Sequence, residues 1–234
     1  VYKRQILDRS EEILNMPIKK MMFEGPEEIL TATENAQPTI LVASLIALKA
    51  LEINGIEADY AAGLSLGEYA ALIYGGALSL EEGLLLIKER GRIMGSALPE
   101  GLGKMAAVLK LNDEKIQELL TRAGEFGIVE GANYNCPGQV VISGENKAID
   151  EAVKIAKELG GLGISLKVSG PFHSSLLEPA SEEFFNTIKN VDIKELNKVV
   201  YSNVKGLPYE KEDDVKELLK RHIRTSVLFE KTIN

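Results

Sequence analysis

The chain has 234 residues, 45% hydrophobic and 26% charged, which is the composition of an ordinary globular protein of one or two domains. Its net charge of −8, without any basic run, argues against a nucleic-acid binder and requires any acidic ligand to be met by local positive charge. The single cysteine, Cys136, leaves no disulfide framework and no cysteine–histidine metal cluster. Ser44 and Lys49 interrupt the apolar run Thr39–Leu51, so no membrane span is expected. The start, Val1-Tyr2-Lys3-Arg4-Gln5, lacks the apolar core of a signal peptide, and a cytoplasmic location is the expectation.

In chain order, residues 7–15 read as a helix with Ser10 as an interior break, and Pro26-Glu27-Glu28-Ile29-Leu30 as a short helix with proline and acids in its first turn. Pro38 is expected to open a long apolar helix that Asn54-Gly55 closes. A strand over 59–63 and a helix over 65–74 follow. Ser79, with Glu82 at the capping-box position, opens a helix that runs to about Met94. From Lys104 the pattern becomes strand (104–111), helix (112–123), strands (127–132 and 139–143), helix (145–159) and strand (163–168). That order, β-α-β-β-α-β, is the split βαβ arrangement of a ferredoxin-like module inserted in a larger domain. A helix from Ser174 to about Lys189, a strand over Val199–Asn203 and a helix over Asp213–Arg221 complete the pattern. Outside the module the sequence offers three convincing strands, 59–63, 165–168 and 199–203, against about four to six in open sheets. With no initial methionine, the chain is expected to be a fragment.

The strand-turn-helix stretch around Gly63-Leu64-Ser65-Leu66-Gly67 has the G-x-S-x-G pattern of a nucleophile elbow. The reading is that a Cβ at either glycine would clash, and that Ser65 starts a helix where the Leu66 N–H can stabilise an oxyanion. A serine nucleophile needs a base. His173, in the loop Ser169-Gly170-Pro171-Phe172-His173, is the better of two histidines, because His222 lies among Lys220, Arg221 and Arg224, whose charges disfavour its protonated form. No acid stands out as a third triad member, and a backbone carbonyl could orient the imidazole instead. Arg90 reads either as a solvated cation at a helix end, as Arg92 does, or as a two-point clamp for a substrate carboxylate. Asn133-Tyr134-Asn135-Cys136-Pro137-Gly138-Gln139 is a polar turn between strands from which an amide could face a ligand.

Gly63-Leu64-Ser65-Leu66-Gly67-Glu68-Tyr69, Glu89-Arg90-Gly91, Asn133-x-Asn135-x-Pro137-Gly138-Gln139-Val140-Val141-Ile142-Ser143-Gly144 and Gly170-Pro171-Phe172-His173-Ser174 together resemble the malonyl-CoA:acyl carrier protein transacylases of fatty acid synthesis. Thr33-Glu34-Asn35-x-Gln37-Pro38 and Tyr201-Ser202-Asn203-Val204 are similar to family segments as well. The resemblance implies an α/β-hydrolase-like large subdomain, 1–103 and 169–234, with an inserted ferredoxin-like subdomain, 104–168. It implies that Ser65 carries malonyl from coenzyme A to the phosphopantetheine thiol of acyl carrier protein, with His173 as base and then acid. Leu66 would be a backbone oxyanion donor and the His222 carbonyl would orient His173, at a position usually held by glutamine. Arg90 would bind the malonyl carboxylate. Phe172 would exclude branched acyl groups, and Met94, Asn133 and Gln139 would contribute to substrate binding.

The implied partners are acyl carrier protein and malonyl-CoA, with coenzyme A thioester as substrate, no cofactor and no metal, and the chain acting as a monomer. Three departures stand out. Leu64 replaces a frequent histidine before the nucleophile. The family's opening strand with its Gly-Gln-Gly-x-Gln loop, source of a second oxyanion donor, is not found, nor is its C-terminal Gly-Pro-Gly segment. The alternatives are a serine hydrolase or thioesterase on a related scaffold, a truncated non-catalytic module that docks carrier protein, and a polyketide-synthase loading unit, which would differ in partner more than in chemistry.

Overall fold

In the computed structural model, which describes residues 2–99 and 101–234, two sheets organise the chain: one short and mixed, one four-stranded and antiparallel. The first part is helical, with α1 (Tyr2–Leu14), α2 (Ile18–Glu24), α3 (Glu27–Thr31) and α4 (Thr33–Ile53). α1 runs unbroken through the expected break at Ser10, which is fully buried, because one serine costs a helix little when its neighbours pack. α4 starts before Pro38 instead of at it. That proline forfeits only the bond to the Glu34 carbonyl, and Thr39 Oγ ties the same turn to the Asn35 and Ala36 carbonyls at 2.8 and 3.1 Å. The added turn makes α4 21 residues long, with a mean hydropathy of 1.5 over its best window. By length and composition it could cross a membrane, contrary to the expectation from Thr39–Leu51. In the fold it packs Leu41, Val42 and Leu45 into the main core.

β1 (Tyr60–Ala61) is shorter than the expected strand, and α5 (Gly67–Tyr74) follows it. α6 (Leu80–Ser96) opens with the Ser79–Glu82 capping box, both reciprocal bonds being formed at 3.2 and 2.8 Å. α4 and α6 lie along each other, and Gly91 sets how near they come. A Cβ there would stand 3.0 Å from the Thr33 carbonyl oxygen and 3.2 Å from Glu34 Cα. The close approach brings the neighbouring Arg90 to α4.

The antiparallel sheet is built from β2 (Lys104–Leu109), β3 (Val129–Cys136), β4 (Gln139–Gly144) and β5 (Leu162–Ser165), in the order β3-β4-β2-β5. α7 (Asp113–Ala123, capped by Asn112) and α8 (Asn146–Glu158) cover one face. Strand alternation sends Ala106, Val108, Val140 and Ile142 into that helix layer, against Ile116, Leu119, Ile149 and Ile155. It sends Met105, Ala107 and Val141 to the other face, where they meet Phe172. The module thus turns one face to its own core and the other to the loop that carries His173.

After a 3-10 turn (Ser175–Leu177) come α9 (Glu178–Ile188), β6 (Val199–Ser202), β7 (Leu207–Pro208), α10 (Val215–His222) and α11 (Phe229–Ile233). β6 pairs in parallel with β1 and antiparallel with β7. Residues 166–168, expected as a strand outside the module, belong to no strand, and Ser165 ends β5 in the four-stranded sheet of the module. The segment 222–228 acts as a strap. The Val227 N–H donates to the Ala132 carbonyl and the Tyr134 N–H to the Val227 carbonyl, at 2.8 and 2.9 Å. The Leu228 N–H donates to the Asn203 carbonyl at 2.8 Å. The strap therefore joins β3 of the module to the end of β6. The whole is an α/β fold, α/β-hydrolase-like with an inserted ferredoxin-like sheet.

Candidate active site

Ser65 sits at the tip of the turn between β1 and α5 with φ of +52°, a left-handed conformation that costs a non-glycine residue energy. Two things hold it there. Gly63 lies so close to the start of α5 that an added Cβ would stand 2.1 Å from the Gly67 carbonyl carbon and oxygen. At Gly67, by contrast, a Cβ would meet nothing within 4 Å, so only the first glycine is sterically required. The second support is Asn203, just past β6. Its Oδ1 accepts the Ser65 N–H at 2.6 Å and its Nδ2 donates to the Gly63 carbonyl at 2.8 Å, clamping the turn on both sides. The parallel β1–β6 pairing is what brings this asparagine to the elbow.

His173 is also left-handed, at φ +58°, in a turn closed by a 2.7 Å bond from Ser174 Oγ to the Pro171 carbonyl. Its Nε2 lies 2.8 Å from Ser65 Oγ, and its Nδ1 donates to the His222 carbonyl at 2.8 Å. That second bond fixes the tautomer that leaves Nε2 free to accept a proton. Burial, reinforced by the Arg90 charge, pushes the imidazole down to about 3, so it is neutral at rest.

Arg90 is almost fully buried, and Arg92 is the surface cation, paired with Glu89 and Glu183. The Arg90 guanidinium donates to Gln37 Oε1 at 2.6 Å and to Ser65 Oγ at 3.0 Å, lies over the Tyr69 ring at 5.7 Å, and leaves Nε without a partner. Among the described residues it forms no salt bridge. A buried cation with no carboxylate in direct contact is costly, and the arrangement suits an anionic group arriving from outside. Met94, one turn beyond Arg90 on α6, is buried with its sulfur 3.6 Å from Gln37 Nε2. Phe172 packs between the module and the main core. The Leu66 N–H, at the start of α5, donates to nothing among the described residues.

Two candidates stand apart. Asn133 is buried in β3 beside the strap, bridged to Val227, while Gln139 lies at the hairpin turn with its Oε1 3.6 Å from Cys136 Sγ. Neither bonds to Ser65, His173 or Arg90. Three residues that sequence reasoning did not single out do belong here: Gln37, Asn203 and Glu68. Glu68 is buried, and it accepts from the Tyr209 hydroxyl and from the Asn203 N–H. The presence of Gln37, Glu68 and Asn203 inside the family-like segments was the available signal. No cluster of three side chains suited to a metal ion occurs among the described residues.

Residues 3–234 match the family described as the acyl transferase domain. A malonyl CoA-acyl carrier protein transacylase of Bacillus subtilis (strain 168) is 40% identical over 233 residues, which is 99% of this chain and 74% of that protein. The crystal structure of the malonyl CoA-acyl carrier protein transacylase from Clostridium perfringens ATCC 13124 superposes with a TM-score of 0.94 at 43% identity, covering 99% of this chain and 74% of that one. A solved complex of a type II PKS acyl-carrier protein with its malonyl-transacylase matches with a TM-score of 0.94 at 30% identity, over 99% of this chain and 75% of that one. With an elbow serine, an imidazole and an unpaired buried guanidinium converging on one oxygen, the chain belongs to the acyl transferase domain family, among the malonyl CoA-acyl carrier protein transacylases.

Proposed function

We propose that this chain transfers malonyl from malonyl-CoA to the phosphopantetheine thiol of acyl carrier protein through a Ser65 acyl-enzyme. The observation that carries the reading is Ser65 Oγ standing 2.8 Å from His173 Nε2 and 3.0 Å from an Arg90 nitrogen. Ser65 Oγ attacks the thioester carbonyl while His173 takes its proton, and the Leu66 N–H donates to the developing oxyanion. The carbon–sulfur bond breaks and His173 returns the proton to the coenzyme A sulfur. The carrier thiol then repeats the sequence in reverse, giving up its proton to His173 as it attacks the malonyl ester.

Arg90 has two parts in this. It binds the malonyl carboxylate, and at rest its charge holds the imidazole down. A carboxylate that neutralises Arg90 removes that penalty, so the correct substrate makes its own base stronger. Acetyl, without a carboxylate, gains neither effect. Met94 and Phe172 are assigned to the acyl pocket, and Asn133 to the strand that holds the strap beside it. Gln139 is assigned no bond to the reacting groups. Residues 1–103 and 169–234 form the catalytic subdomain, and residues 104–168 the smaller one. The reaction needs no cofactor beyond the thioester substrate, and the cytoplasm is the assigned location, in keeping with the bacterial relatives.

The test is intact mass after brief exposure to malonyl-CoA, with Ser65→Ala and His173→Ala alongside. A malonyl adduct on the unaltered chain, absent from Ser65→Ala and slow to form on His173→Ala, is the expected result. An adduct that persists in Ser65→Ala refutes the assignment.

A further inference from the structure

His222 has so far entered only through its carbonyl. Its imidazole is buried and stacked on that of His173, with ring centroids 5.3 Å apart and planes 27° from parallel. Neither of its ring nitrogens has an aligned hydrogen-bond partner. Its Nδ1 nevertheless lies 3.2 Å from Oε2 of Glu68, which is itself almost wholly enclosed. Two buried ionisable side chains placed in succession behind the base, one of them unsatisfied, call for an explanation that packing alone does not supply.

We propose that the His222 side chain and Glu68 form a positioning pair that supplies the counter-charge for His173 when it holds the Ser65 proton. The His222 ring transmits the order of the pair: a small rotation lets its Nδ1–H donate to Glu68, fixing that carboxylate in its ionised form while the ring face stays on His173. The site then has a carboxylate two imidazoles from the serine, separated from the base by a stacked ring, where a triad would hydrogen-bond it directly. The need is evident from the charges. The imidazolium forms in a buried place beside Arg90, both of which disfavour it, and the His222 carbonyl offers only a dipole.

The groups facing the pair are few. They are Tyr69 from α5, Arg90 from α6, His173 from its loop, Tyr209 beyond β7, and the Ser202 hydroxyl and Asn203 N–H at the end of β6. On the α9 side, Glu178 and Glu182 are engaged with Arg224 and Lys220. His222 is held neutral by burial and by its cationic or ionisable neighbours. Burial lifts the Glu68 carboxyl to about 7, against the Tyr209 and Asn203 hydrogen bonds that favour its ionised form. The carboxylate is therefore present above neutrality and protonated below it. Acylation should quicken as pH rises through about 7, with His173 already neutral throughout.

The inference rests on His173 acting as base, and the experiment separates the two. The rate of coenzyme A release in single-turnover acylation by malonyl-CoA is measured from pH 5.5 to 9 for the full chain and for Glu68→Gln, His222→Gln and His173→Ala. Folding of each is checked by circular dichroism. His222→Gln keeps the backbone carbonyl and loses the ring. Glu68→Gln should flatten the rise and lower the rate above neutrality about tenfold, the order expected for one charge acting across a ring in a partly screened interior. His222→Gln should likewise flatten the rise, because the ring stacked between the carboxylate and His173 is gone. Variants that fold and are slower at every pH by one factor, with an unmoved profile, overturn the pair and leave His173 as base. Normal acylation by His173→Ala overturns the base assignment itself.

Discussion

Ser65 and His173 are both non-glycine residues in left-handed backbone, and each is held by a bond that nothing in local sequence dictates. Asn203 holds the first from the end of a distant strand, and the His222 carbonyl holds the second from a distant helix. Arg90 has the same character. Its environment fixes it through Gln37, 53 residues earlier. Arg90→Ala should lower kcat/KM for malonyl-CoA by about 10²–10³-fold, the usual result of removing one side of a buried charge pair. Acetyl-CoA turnover should hold or rise, and an unchanged malonyl-to-acetyl ratio would remove the carboxylate clamp. Gln37→Ala keeps the charge and loses one charge-assisted bond, so the loss should be nearer tenfold in the same assay. At this scale the sequence was legible where chemistry demanded a residue type. Serine, histidine and arginine stood out in their motifs. Gln37, Asn203 and Glu68 did not, because their value lies in partners 53 to 141 positions away that no spacing reveals.

Among the elements, local signals served best where a helix or strand is closed by its own residues. The Ser79–Glu82 box forms as read, and the four strands of the module form in the expected order, although β3 runs on to Cys136 through residues read as a turn and β5 stops at Ser165. Pattern failed where packing overrides propensity: Ser10 inside α1, Pro38 inside α4, and the short β7 and α11 that exist only through neighbours. The elbow offers a clean test of steric need against motif. Gly63→Ala must push α5 away from β1 and should abolish acylation or soluble expression, since backbone atoms stand at 2.1 Å and cannot yield cheaply. Gly67→Ala meets open space and should keep most activity, with stability equal or better because alanine favours the helix by up to about 1 kcal/mol. Equal damage from both substitutions, measured by acyl-enzyme formation and thermal midpoint, would show that the motif's second glycine serves something other than clearance.

For the molecule as a whole, the buried ionisable groups leave a mark on stability. His173 and His222 stay neutral when folded but take up protons below about 6.5 when unfolded. Glu68 works the other way, because between about 4.5 and 7 the folded chain keeps a proton that the unfolded chain has lost. Two protons favour the unfolded state and one the folded state in the shared window. These three groups together should therefore make stability fall as pH drops from 6.5 to 4.5, by about 1.4 kcal/mol per unit. Urea midpoints at pH 5, 6 and 7 measure it, and His222→Gln should flatten that dependence by removing one of the two histidines. A steeper loss in His222→Gln than in the unaltered chain would contradict the account.

The strap has a further consequence. Seven residues, 222–228, give the base its carbonyl, pair with β3 of the module, and reach the Asn203 carbonyl behind the elbow. Orientation of the module, aim of the imidazole and support of the nucleophile are thus not independent dials. An engineer who exchanges the module must bring the matching strap with it. A lesion on β3, which bonds to none of the reacting groups, will present itself in the laboratory as poor chemistry.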